Sequence, residues 1–292
     1  MVSPRNKTIT LNEDEIARYS QELSTKVGEN KLVNTNFFSC ELPENFVDLL
    51  ILDPPNNLIK NYDGKIHKRR DPGLHASYFR EVIEKVRPTL KKSATVYVCS
   101  DWSTSLIVAP ILEDYFLIRN RVTWSRRKGR GSKTNWKSNS EDIWFCTGDE
   151  YYFNADAVQI KKKIIAPYRE KGRPKDWIEK DGKKYRLTAP SNFWADITVP
   201  FWSMAENTEH PTQKPEKLLA KLILASSKEG DVVFDPFAGS GSTLVAANKL
   251  NRKWCGIEIS KRYCCTALKR LERGGKISGY DGAFDYCKDE YA

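Results

Sequence analysis

The stretch "LLILDPPNNLIKNY", residues 49–62, drives an apolar run into an acid, two prolines and two asparagines. With Val47 and Asp48 ahead of it, "VDLLILD" is nearly continuous in apolar character, which suits a strand buried on both faces rather than a strand with one wet side. Its end is abrupt. Asp53 closes the run, Pro54 and Pro55 fix φ and remove two backbone donors, and amides follow at Asn56 and Asn57.

Working outward, the spacing predicts a capped helix over 12–23, a helix over 75–90, a strand over 94–101, a helix over 103–114 and a strand over 116–124. After a break, helix 215–227, strand 231–237, helix 242–250, strand 253–259 and a last helix from Ser260 resume the rhythm. Strands alternating with helices predict an α/β fold with a mainly parallel sheet covered by helices. The 292 residues leave room for one large α/β domain or two small ones. They contain neither an internal repeat nor a low-complexity linker.

The interrupted segment, about 125–209, is rich in Lys, Gly, Pro, Asn and Trp, with short strand-like pieces such as "EDIWFCT". The net charge of +10 lies in an overlapping range: residues 119–187 hold 19 Lys+Arg against 9 Asp+Glu, and the rest of the chain balances. Charge runs usually mark a solvated face. Here Trp124, Trp136, Tyr168, Trp177 and Tyr185 are interleaved with the basic residues, a pattern that offers cations to phosphates and rings to bases.

Seven scattered cysteines without a C-x-x-C pair, and only three histidines, argue against a disulfide framework and against a metal site. No apolar run approaches the ~18–20 residues that span a bilayer, and the start lacks the apolar core of a signal peptide. The chain therefore reads as soluble and cytoplasmic, with no membrane partner.

A second informative stretch is "VVFDPFAGSGSTLVAANKL": strand, glycine turn, helix. Gly239 and Gly241 permit positive φ and a close ligand approach, and the helix start can receive a polar group. Glu258 ends the next strand, at a spacing that suits the two hydroxyls of a ribose. No lysine follows the last glycine, so this is not a phosphate loop of the nucleotide-hydrolase type. Asp235 would repel a pyrophosphate but accept from an ammonium group. A cofactor with a ribose and an amino-acid end, such as S-adenosylmethionine, fits better than NAD.

Three stretches, "DPPN" at 53–56, "HPTQKP" at 210–215 and "DPFAGSGST" at 235–243, together resemble the amino-methyltransferases of DNA, which methylate adenine N6 or cytosine N4. Their order resembles the β class of that family, a circular permutation of the commoner arrangement. The resemblance covers roughly residues 32–270. It implies a seven-stranded Rossmann-like sheet with S-adenosylmethionine as cofactor, divided into a catalytic half (1–124), a basic target-recognition region (125–209) and a cofactor half (210–292).

It also implies roles for particular residues. Asp53 and the carbonyl of Pro54, held by Pro55 and followed by Asn56, would accept the two N–H groups of an exocyclic amine and turn its lone pair toward the methyl group. His210, Thr212, Gln213, Lys214, Asp235, Phe237, Gly239, Ser240, Gly241, Ser242 and Glu258 would surround the cofactor. Trp124, Arg126, Arg127, Lys128, Arg130 and Lys133 would meet DNA. The implied partner is double-stranded DNA with the target base flipped out. The resemblance leaves open a homodimer, a cognate restriction endonuclease and a solitary enzyme.

Asn56 departs from the family, which places an aromatic residue there. Losing a base–aromatic stack costs about 1–3 kcal/mol, which weakens base capture without removing the chemistry. Either another ring, Tyr62 or Trp124, supplies the stack, or the enzyme is weakened, or the chain binds nucleic acid without methylating it. In the family that the chain resembles, an acid at the place of Asp53 leans toward adenine N6 and a serine toward cytosine N4, so the resemblance implies adenine. A nucleotide-dependent oxidoreductase leaves "DPPN" and the basic segment unused; an RNA methyltransferase is the nearest enzymatic rival.

Overall fold

Helix α1 (Glu13–Ser20) opens the fold with a capping box: Asn12 Oδ1 accepts from Glu15 N, and Glu15 Oε2 accepts from Asn12 N. The computed structural model describes residues 5–126, 133–164, 168–180, 182–277 and 284–285. After α1 come β1 (Lys31–Asn34), β2 (Val47–Leu52), the hairpin β3 (Lys60–Tyr62) and β4 (Lys65–His67), and α2 (Pro72–Val86). Next are β5 (Leu90–Ser100), α3 (Trp102–Tyr115), β6 (Leu117–Ser125) and β7 (Ser140–Thr147). The basic segment continues with β8 (Ile160–Lys163), β9 (Arg169–Glu170), β10 (Arg173–Pro174), β11 (Ile178–Lys180), β12 (Lys183–Thr188) and β13 (Phe193–Trp194). The chain then runs through α4 (Glu216–Ser226), β14 (Val232–Asp235), α5 (Ser242–Lys249), β15 (Lys253–Glu258), α6 (Lys261–Arg273) and β16 (Phe284–Asp285).

The central sheet has eight strands in the order β1-β15-β14-β2-β5-β7-β6-β13. Every pairing is parallel except those of β7, which runs antiparallel to β5 and β6. The sheet exceeds the expected seven by one because the two-residue β13 pairs with Thr123 and Trp124 at the edge. Two of the strands, β7 and β13, come from within the segment 125–209, so that segment completes the sheet as well as supplying three strands of a second one, β11-β12-β8-β16, which β16 joins from near the end of the chain.

The continuous apolar character of β2 now has its cause. Leu49 and Ile51 face one core with α4, α5 and α6, while Leu50 and Leu52 face the other with α2 and α3. All four are at most 1% exposed, and each contributes about 2 kcal/mol of burial. Helix α2 begins three residues ahead of the expected start at 75 because Asp71 caps Gly73 N and Pro72 takes the first turn, where no amide is needed. Strand β1, which the sequence reading did not anticipate, has only Leu32 and Val33 as apolar residues and is specified by its pairing with β15. No helix among the described residues is long and apolar enough to cross a membrane.

Candidate active site

The strand order reverses direction between β14 and β2, the switch point where open α/β sheets leave a crevice at their carboxyl ends. Both informative stretches of the sequence end there: Asp53 follows β2, and the glycine turn follows β14. A cleft of about 710 Å³ opens over them. It is lined by Asp53, Pro54, Pro55 and Asn56 on one side and by Phe237, Gly239 and Glu258 on the other, with His210, Thr212 and Lys214 between.

The amides after the prolines are anchors. Asn56 Oδ1 accepts from Asp101 N at 3.0 Å, at the start of α3. Buried Asn57 clasps the backbone of Arg70, accepting from its N–H at 2.7 Å and donating to its carbonyl at 3.1 Å. Asn57 N–H donates to Thr104 Oγ1 at 3.0 Å. The motif is thereby pinned to α3 and to the segment leading into α2.

Asp53 itself is held from outside its own strand. Lys214 Nζ donates to both of its oxygens, at 2.8 and 2.7 Å, and lies 3.2 Å from Glu141 Oε2. Glu141 Oε1 in turn meets Arg126 Nη1 at 3.0 Å. Because β7 is antiparallel, its first residues reach the edge where β2 and β5 finish, which is what brings Glu141 beside Asp53. Burial pushes the Asp53 carboxyl above its usual range, with Lys214 opposing and Glu141 adding to the rise. Burial works against the Lys214 charge, but Asp53 and Glu141 outweigh it and hold this ammonium well above the ordinary lysine value.

On the side of the glycine turn, Gly239 and Gly241 both have positive φ, +51° and +77°. A Cβ at Gly241 would sit 2.4 Å from Ala267 Cβ on α6, and one at Gly239 would sit 2.9 Å from His210 Nε2. Glycine is required at both places. Glu258 folds back under the turn, accepting from Gly239 N at 2.8 Å and Ser260 N at 2.7 Å. Asp235 accepts from Phe237 N at 3.0 Å and Thr243 Oγ1 at 2.6 Å, and burial raises its carboxyl to about 7 against those two hydrogen bonds. His210 packs between Tyr62 and Tyr263. Burial, then Lys214 and Arg270, push it down to about 4, so it is a neutral wall residue, and its Nδ1 has no hydrogen-bond partner.

Gln213, Ser240 and Ser242 line a small cavity with Asp53, Asp235 and Gly239, and each also bonds within the protein. Gln213 accepts from Thr208 N and Oγ1 and donates to the Glu206 carbonyl, fixing the turn before α4. Ser240 and Ser242 face Arg270, which bonds the Ser240 carbonyl at 2.8 Å and Ser242 Oγ at 2.9 Å. Thr212 faces the cleft and is hydrogen-bonded to Tyr62. Lys214 serves Asp53.

Of the residues expected to meet DNA, Trp124 is corrected. It is 1% exposed, packed in the core, and its Nε1 donates to the Ile197 carbonyl at 2.7 Å, which leaves no face for a base. Arg126 is half-buried and turned inward to Glu141 and the Ser138 carbonyl. Lys133 is exposed, and Trp136 beside it is 93% exposed. Arg127, Lys128 and Arg130 lie outside the described residues. Trp177 is buried beneath Arg169 and Lys184, whereas Tyr168 is exposed.

Sequence reasoning missed Glu141, which it read only as part of a strand, and Arg270, whose place in an amphipathic helix gave no hint of its contacts. It also missed the rings Phe37, Phe38 and Tyr78 that line the cleft.

A mostly parallel sheet with one reversed strand, a glycine turn at its switch point and an acid on the neighbouring strand define a methyltransferase fold. Among solved structures, the PvuII DNA methyltransferase (cytosine-N4-specific) superposes with a TM-score of 0.63 at 16% identity, covering 84% of this chain and 87% of that one. The M1.HpyAVI–SAM complex superposes with a TM-score of 0.56 at 23% identity, covering 82% and 98%. Residues 47–269 match the profile of the DNA methylase family, and the chain belongs to that family. It is 33% identical over 266 residues to DNA adenine methyltransferase YhdJ of Escherichia coli K12, covering 88% of this chain and 86% of that protein. It is 32% identical over 253 residues to the type II methyltransferase M.HpaI of Haemophilus parainfluenzae, covering 85% and 74%.

Proposed function

We propose that this chain transfers a methyl group from S-adenosylmethionine to the exocyclic N6 amine of adenine within a specific sequence of double-stranded DNA. One observation carries the reading: the acid and prolines after β2 and the ribose-type carboxylate Glu258 line the same cleft. Its volume, about 710 Å³, suits a ligand of nucleoside size with room for a base. The residues fit the cofactor: Glu258 keeps lone pairs for a ribose diol, Asp235 is an acceptor for an ammonium group, and the unpartnered His210 Nδ1 is a spare polar atom in the wall.

When bound, S-adenosylmethionine supplies an electrophilic methyl carbon on a sulfonium. The protein's task is positioning. Asp53 and the Pro54 carbonyl take the N–H groups of the amine, so that its lone pair leaves conjugation with the ring and points along the transfer axis. Such alignment and oriented acceptors account for most of the expected acceleration. The prolines hold the carbonyl rigid, and Asn56 and Asn57 hold the prolines.

With Trp124 in the core, the flipped base finds its ring among the aromatics of the cleft, and Tyr62 is the one that also faces Asp53 electrostatically. Lys133 and Trp136 belong to the DNA-facing surface in this reading. The likeness to a relative named a DNA adenine methyltransferase favours adenine. The test is transfer of labelled methyl groups to duplex DNA and to folded RNA, followed by nucleoside analysis. N6-methyladenine in DNA is expected. Label confined to RNA, or none in either, would overturn the reading, and N4-methylcytosine would correct the base.

A further inference from the structure

Four alternating charges run from the basic segment to the acid of the cleft: Arg126, Glu141, Lys214, Asp53. One ammonium serves two carboxylates. Lys214, only 8% exposed, bonds both oxygens of Asp53 at 2.7–2.8 Å and stands 3.2 Å from Glu141 Oε2. That Glu141 oxygen is buried and makes no hydrogen bond. A buried acceptor without a partner is costly, and a donor already stands within reach of it. Turning Lys214 toward Glu141 would meet that oxygen while releasing Asp53.

The distinction matters for the reaction. With both oxygens occupied by Lys214, Asp53 is a poor acceptor for an amine N–H. We propose that Glu141 is a positioning residue for methyl transfer: it draws Lys214 off Asp53 so that the Asp53 carboxylate can accept the target amine. Arg126, bonded to the other Glu141 oxygen at 3.0 Å, limits that pull. The inference rests on the reading of Asp53 as the acceptor of the amine.

The groups facing Asp53 set its titration. Lys214 precedes α4, Glu141 is on β7, Tyr62 on β3, Cys99 on β5 and Asp235 on β14. Among them Glu141 raises the Asp53 carboxyl. Neutralising Glu141 therefore lowers the pH at which Asp53 ionises, while leaving Lys214 fixed on it. Removing Arg126 strengthens the hold of Glu141 on Lys214 and moves that pH upward.

The experiment is a single-turnover pH–rate profile with saturating S-adenosylmethionine and duplex DNA for wild type, Glu141→Gln, Arg126→Gln and Asp53→Ala, with cofactor and DNA affinities measured alongside. Glu141→Gln should slow transfer by up to about 100-fold, the scale of a reacting group misplaced by an ångström. Its acid limb should fall and that of Arg126→Gln should rise, with cofactor affinity unchanged in both. A Glu141→Gln profile identical to wild type overturns the inference, as does a slower rate with an unmoved acid limb. In either case an inactive Asp53→Ala would leave the role of Asp53 standing. An Asp53→Ala protein as fast as wild type would overturn the reading of Asp53, and this inference with it.

Discussion

Beneath the glycine turn, Arg270 is buried with its charge fully distributed among Glu216, Ser240 and Ser242, and Lys249 takes the other oxygen of Glu216. Across the cleft, Lys214 is nearly as buried but stands at the cleft wall between two carboxylates, one of which keeps an unmet lone pair. The first network fixes a backbone. Its bonds tie Arg270 to the Ser240 carbonyl and Ser242 Oγ, on either side of Gly241, so that the turn is formed before anything binds. The second network fixes very little, because its cation has two partners and its acid has a reaction partner still to come. In the proposed reading, a preorganised cradle for the cofactor faces an adjustable acid for the base.

Removing the cation of the adjustable network should have the largest effect. Lys214→Met leaves Asp53 without a cation beside Glu141, whose remaining partner is Arg126, and breaking a buried pair from one side costs about 3–5 kcal/mol. Thermal denaturation should show that loss, and methyl transfer should fall because Asp53 loses the cation that opposes its protonation. The preorganised side should be nearly as intolerant. Gly241→Ala combines a positive φ with a Cβ at 2.4 Å from Ala267. Together the strain and the overlap should cost about 2–4 kcal/mol and weaken the cofactor's site, which calorimetry would read directly.

Asp235 links the two sides through pH. Its carboxyl, raised to about 7 by burial, must ionise to receive an ammonium group. Cofactor affinity should therefore be flat just above that value and fall about tenfold for each pH unit below it. Asp235→Asn should bind more weakly at neutral pH and lose the slope. Titrations between pH 5 and 7.5 separate these outcomes, and a wild-type affinity independent of pH would remove Asp235 from the ammonium site. The smallest effect is expected at Asn56. Asn56→Tyr adds a ring for the flipped base but leaves Asp101 N–H without its acceptor, at a cost of about 1 kcal/mol. Base capture should improve less than tenfold, with a small drop in melting temperature.

How much of this could be read from the chain alone depends on range. Asp53, the prolines and the glycine turn were legible because strand, acid and turn are contiguous, and the local residue types dictate the geometry. Glu141 was not, since its partners Lys214 and Asp53 are distant in sequence and meet it only because β7 runs antiparallel. Trp124 was misread for a physical reason. A ring among basic residues has the same local pattern whether it faces a nucleic acid or, as here, pairs with Trp194 across a sheet edge and enters the core. Ser240, Ser242 and Gln213 lie in the motifs that named them and line a small cavity beside Asp53 and Asp235, but their bonds to Arg270, Thr208 and the Glu206 carbonyl could not be read from those motifs.

The claim beneath all of this is that Asp53 and the cofactor's carbon meet over one crevice to alkylate an adenine amine. Sequencing with detection of modified bases, applied to DNA from a methylation-free host expressing this protein or its Asp53→Ala form, tests it most directly. N6-methyladenine confined to one short motif, present with the first and absent with the second, is the result the structure predicts. Unmodified DNA from a host making folded wild-type protein, or equal modification by the Asp53→Ala form, would contradict it.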